Sequence, residues 1–79
     1  MNRWFDGVVT LLYEGPTKVY FVYTSDGKAA LFPRVYDRNP GVRVGAYVRV
    51  RLIPPPKYGK NKEVQDLNVI DRPVDHEVN

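Results

Sequence analysis

Side chains able to do covalent or acid–base chemistry are scarce in this chain. Its 79 residues include no Cys, one Ser at Ser25 and one His at His76. Nucleophilic catalysis needs a nucleophile held within hydrogen-bond reach of a base. A serine in an apparent turn and a histidine near the C-terminus do not make that pair. A structural zinc site asks for about four Cys or His ligands, so it is excluded, as is any disulfide. The acids before residue 60 are Asp6, Glu14, Asp26 and Asp37, each where a turn or strand end is expected. The inventory therefore predicts no enzyme, no metal and no cofactor.

What the chain does hold is cations and rings. Residues 1–62 carry eleven Lys or Arg against four acids, while residues 63–79 carry Arg72 against five acids. A basic body with an acidic end is an electrostatic footprint suited to a polyanion partner. Ten aromatics, six of them Tyr, are more than so small a domain can bury. Single strands are held by both means at once: bases stack on rings at about 1–3 kcal/mol each, and cations track the phosphates. Rings and cations alternate at Lys18, Tyr20, Phe32, Arg34, Tyr36 and Arg38, and again at Lys57, Tyr58 and Lys60. These nine are the candidate nucleic-acid-binding residues.

Glycine and proline divide the elements that must position them. Gly7–Tyr13 and Lys18–Thr24 are rich in β-formers, and Ser25-Asp26-Gly27 carries an Asp-Gly hairpin signal. Lys28–Phe32 stops at Pro33, which cannot donate to a sheet ladder. One helical turn is expected within residues 34–39 of the following loop. Ala46–Ile53 alternates strictly and ends at Pro54-Pro55-Pro56, and Glu63–Ile70 follows a basic loop. No apolar period of 3.6 residues persists over three turns. The prediction is an all-β domain, a small five-stranded OB-type antiparallel barrel over residues 1–72, with a flexible acidic tail over 73–79. No run of about 18 apolar residues and no signal-peptide pattern occur, so an intracellular domain without a membrane partner is expected.

Period-2 alternation then assigns faces. In the second strand Val19, Phe21 and Tyr23 form the more apolar set and are expected in the core, with Lys18, Tyr20, Val22 and Thr24 outward. In the third, Ala29 and Leu31 point in, and Lys28, Ala30 and Phe32 out. In the fourth, Val48, Val50 and Leu52 point in, and Tyr47, Arg49 and Arg51 out. Trp4-Phe5 precedes the first strand as a plug for one barrel end.

The order of these pieces resembles the cold-shock domain and its S1-like relatives in the OB-fold group. Gly45-Ala46-Tyr47-Val48-Arg49-Val50 looks like that family's fourth strand, and residues 60–70 look like its last loop and fifth strand. The family's aromatic motifs on the second and third strands fall on Lys18, Tyr20 and Val22, and on residues 30–33, where Phe32 is the ring retained. The resemblance implies binding of single-stranded RNA or DNA across those two strands by stacking, RNA ahead of DNA. The alternative is a protein–protein interaction barrel serving as a scaffold in a larger complex. An outward Val22, the stiff Pro54-Pro55-Pro56 loop and an acidic tail able to dock on a basic partner point that way.

Overall fold

The computed structural model describes residues 3–55, 57 and 59–71. Five strands run as β1 (Trp4–Glu14), β2 (Lys18–Thr24), β3 (Gly27–Leu31), β4 (Tyr47–Ile53) and β5 (Lys62–Ile70). A single helical turn, α1 (Pro33–Tyr36), lies between β3 and β4. The strands close into a barrel in the order β1-β2-β3-β5-β4, a small OB-type barrel. One feature corrects the expected all-antiparallel sheet: β3 and β5 run parallel, through Ala29 opposite Lys62 and Ala30 opposite Glu63. The chain reaches β5 only after β4, so β5, antiparallel to β4, arrives in the same direction as β3. The proposed tail over 73–79 lies outside the described residues. Among the described residues, no helix is long and apolar enough to cross a membrane.

β1 is longer than the Gly7–Tyr13 segment because it serves both sides of the barrel. Its first half pairs with β4, its second with β2, and Gly7 and Val8 pair with both. Trp4 and Phe5 therefore belong to the strand itself and do not precede it. Gly7 is where two neighbours come closest. A Cβ there would lie 2.7 Å from the Tyr23 carbonyl oxygen and 2.7 Å from the Thr24 methyl carbon. A bulge between Val9 and Leu11 sets Thr10 aside, so Val9 points in and Leu11 out.

The core is small and mostly aliphatic. Val9, Val22, Ala29, Leu31, Val35, Val48, Val50, Val64 and Leu67 form it, with Phe5, Tyr20, Tyr36 and Leu52 packed at its margin. Val35 of α1 is fully buried, which places the helical turn over one end of the barrel as a stopper. The inward sets expected on β3 and β4 are the ones observed. On β2 the faces are reversed: Val22 and Thr24 are buried while Tyr23 is 62% exposed. The reason lies in the hairpin. Thr24 pairs with Gly27, leaving only Ser25 and Asp26 in the turn. The Thr24 hydroxyl accepts from the Asp26 N–H at 3.0 Å and donates to the Gly27 carbonyl at 3.1 Å. Gly27, at φ +106°, enters the strand in a conformation few other residues take.

Charge is redistributed by the fold. Glu63 and Asp66, counted with the acidic end, pair with Arg34 and Arg51 of the basic body, and Lys62 pairs with Asp26. Asp6 accepts from Arg49 Nε at 2.6 Å and Nη2 at 3.2 Å, which raises the Arg49 pKa. Arg49 faces Asp6, and Arg51 faces Asp66 on one side and Trp4 on the other, as direct cross-strand neighbours. The Arg51 guanidinium sits 5.9 Å from the Trp4 ring centroid. The outer face of β4 is thus laced to its neighbours. It is a sheet-stabilising surface of paired charges.

Candidate functional site

The reversal of β2 moves its rings from the core to the outside. Val19, Phe21 and Tyr23 now line the outer sheet, in register with neighbours of similar character: Tyr13 opposite Val19, and Leu11 opposite Phe21. On the other side Phe21 faces Ala30, and Tyr23 faces Lys28. Phe32 leaves the end of β3 on the same face. The result is a groove of about 270 Å³ lined by Tyr13, Val19, Phe21, Ala30, Phe32 and Glu63, with Gly59, Lys60 and Asn61 of the β4–β5 connection along one side. Its floor is closed, since Val19 is 9% and Ala30 8% exposed, while Leu11 and Tyr13 at its margin are more than half exposed.

Charge enters this apolar groove at a few defined points. The Lys28 ammonium lies 5.2 Å from the centroid of the Phe21 ring, a cation over the face of a ring. Lys60 stands on the loop side. Glu63, on β5, is the one carboxylate in the lining, and its Oε2 accepts from Arg34 Nη2. Rings that can stack on flat ligands, two flanking lysines and one anchored carboxylate are thereby brought within a single surface.

The nine residues singled out from the sequence divide accordingly. Phe32 and Lys60 line the groove, and Arg34 stands at its edge, held by Glu63. Tyr20 is corrected from outward ligand to inward support: its ring meets Tyr36 edge-on with centroids 5.0 Å apart, against the core. Tyr36 donates its hydroxyl to the Lys18 carbonyl at 2.7 Å and so ties α1 to β2. Partial burial, then Asp37 and then Tyr20 raise the Tyr36 pKa. Lys18 shares the alternation of Tyr20, sits at the strand end opposite Glu14 and is exposed there. Arg38 is exposed and donates from Nε to the Arg34 carbonyl at 2.8 Å. Lys57 is exposed in the β4–β5 connection, and Tyr58 lies outside the described residues.

The sequence reading did not single out Tyr13, Phe21, Tyr23, Lys28, Asn61 and Glu63 as site residues. A turn one residue shorter would have found the three on β2 and β3. Asn61 and Glu63 become neighbours of these only through the parallel β3–β5 closure, for which no local signal exists. Among the described residues, no three His, Cys, Asp or Glu side chains cluster closely enough to hold a metal ion.

A second hollow, about 380 Å³ against the groove's 270 Å³, is lined by Arg43, Tyr47, Val69 and Asp71. Val44, Tyr47 and Val69 are exposed there beside Arg43 and Asp71. Its lining holds one ring, Tyr47, where the groove's holds Tyr13, Phe21 and Phe32. Compared with models of known families, with characterised proteins and with solved structures, the chain matches none of them.

Proposed function

We propose that this chain is a non-catalytic, intracellular, cold-shock-like module that binds single-stranded nucleic acid, RNA ahead of DNA, on the outer face of β1, β2 and β3. The observation that carries the reading is the groove holding Phe21 and Phe32 outside the core, with Tyr13 beside them and Lys28 and Lys60 on its borders. In OB barrels the outer face of the second and third strands, with the loops next to it, is where oligonucleotides lie. A contiguous apolar surface of rings outside the core cluster is the kind of patch that marks an interaction site. A base offers each ring a flat partner, and a nearby lysine offers the adjoining phosphate a counter-charge. Lys28 would release Phe21 to a base and turn to the backbone. Tyr20, Tyr36 and Val35 act from below, by holding β2 and α1 in place.

The test is a titration of fluorescently labelled single-stranded nonamers, RNA and DNA, read by anisotropy at two salt concentrations. A label on the oligonucleotide is required because the only tryptophan, Trp4, pairs across to β4 and is not in the groove lining. Two phosphates met by the groove's two lysines give a slope of about −1.4 in log K against log salt. A duplex of the same sequence should bind more weakly, since its bases are not free to stack. No binding at tens of micromolar in low salt would sink the reading. The half-exposed Leu11 beside the groove would then favour the alternative, a groove for a protein partner.

A further inference from the structure

A carboxylate in the middle of a surface meant for a polyanion is a cost unless it faces something other than phosphate. Glu63 is such a group. It lines the groove beside Phe21 and Phe32, opposite Ala30 in the sheet, with its side chain 22% exposed. Arg34 holds it from the groove's edge through Oε2 alone, leaving Oε1 and the remaining lone pairs outside that hydrogen bond. Asn61 brings an amide to the same lining. Resting on the single-strand reading above, we propose that Glu63 and Asn61 read the edge of the stacked base and that the base selected is guanine.

The chemistry of the donors and acceptors makes the choice. A carboxylate only accepts, so it needs a base with N–H groups side by side. Guanine offers N1–H and N2–H on its Watson–Crick edge, matched to the two oxygens of one carboxylate. Its O6, next to them, suits an amide N–H such as that of Asn61. Uracil puts one N–H between two carbonyl oxygens, which would oppose the carboxylate. Adenine and cytosine each offer one amino group beside a bare ring nitrogen. A stacked, unpaired base exposes this edge, as single-strand recognition requires. Arg34 orients the carboxylate through its hydrogen bond to Oε2, and so acts as a positioning residue.

The probes are RNA nonamers of uridine with a central U, G, A, C or inosine, a design that avoids self-association of G-runs. The full chain should bind the central-G nonamer about tenfold more tightly than the all-U nonamer, within the range set by a good bidentate contact. Inosine, which lacks the N2 amino group, should give up most of that ratio with no change to the protein. Glu63→Gln should bring the ratio to within about twofold of unity. A central G no tighter than U, or an inosine nonamer bound as tightly as the G nonamer, would overturn the inference while leaving single-strand binding in place. A wild-type chain that binds none of the nonamers fails the function itself.

Discussion

Tyr20 and Phe21 are adjacent in sequence and opposite in role, so two alanine variants test the whole placement of the site. Phe21 lines the outer groove and stands outside the core cluster. Phe21→Ala should remove one stacking platform, worth about 1–3 kcal/mol, and weaken single-strand binding about 5- to 150-fold. Its melting temperature should fall less than that of Tyr20→Ala, because Phe21 lies outside the core cluster and, among the described residues, has no aromatic partner to lose. Tyr20 packs on the core margin and edge-on against Tyr36. Truncating a half-buried ring should cost about 2–3 kcal/mol of packing, and the aromatic pair about 0.5–1.5 kcal/mol more. For a domain of this size each kcal/mol moves the midpoint about 4–8 °C, so Tyr20→Ala should melt at least about 10 °C lower. At a temperature where the variant is still folded, its affinity should stay within about threefold of the parent. Thermal circular dichroism and anisotropy titrations on both variants read the four numbers. A Tyr20→Ala protein of normal stability that fails to bind, beside a Phe21→Ala protein that binds normally but melts early, would reverse the faces of β2 and refute the site.

Two further variants probe the supports. Gly7→Ala should destabilise the barrel by several kcal/mol, since its Cβ would meet the Tyr23 carbonyl oxygen at 2.7 Å, and backbone cannot swing aside as a side chain can; urea denaturation should give a clearly lower midpoint. Tyr36 titrates higher in the folded chain than in the unfolded one, chiefly through partial burial. Its contribution to stability should therefore be complete below about pH 10 and be lost as pH rises through the folded value, and Tyr36→Phe should flatten that alkaline decline in chemical denaturation followed against pH.

Much of the architecture could be read from local signals. Strict alternation in β4, the Pro54 stop and the Asp-Gly signal at Asp26-Gly27 each name a boundary whose physics is local: a period of two, a missing N–H, a turn. The helical turn near Val35 was legible for the same reason. The charge reading fared differently because pairing in the sheet is not local. Residues 63–66 looked like the start of an acidic end, yet β5 runs between β3 and β4, so Glu63 and Asp66 meet Arg34 and Arg51. An excess counted along the chain becomes, in the barrel, a set of cross-strand pairs. Arg49 and Arg51 are tied into the sheet for this reason, whereas Lys28 and Lys60 stand beside the groove.

The hairpin shows how narrow the margin is between the two versions of the site. With a three-residue turn at 25–27, Tyr23 would lie opposite Ala29 and Phe21 opposite Leu31. Since Ala29 and Leu31 point in, Phe21 and Tyr23 would follow them into the core, and the exposed ring of β2 would be Tyr20. With the two-residue turn observed, Val22 lies opposite Ala29 and Tyr20 opposite Leu31. Every side chain of β2 changes face. Hydropathy cannot decide between them, because both sets of the KVYFVYT segment are apolar enough to be buried. The decision falls to turn chemistry. Gly27 takes a positive φ inside the first pair of β3, and the Thr24 hydroxyl closes the two-residue loop by its bonds to Asp26 and Gly27. The β1 bulge at Thr10 then accommodates this choice, turning Leu11 and Tyr13 outward to join Phe21 while Leu12 faces Tyr20. The aromatic face thus depends on a hydroxyl and a glycine at one end of β2, not on the rings themselves. Replacing Thr24 with Val would keep the burial and remove both bonds. In urea denaturation Thr24→Val should be destabilised more than Thr10→Val, which loses one exposed bond to the Phe21 carbonyl, and equal losses would refute the hold of the turn on the register.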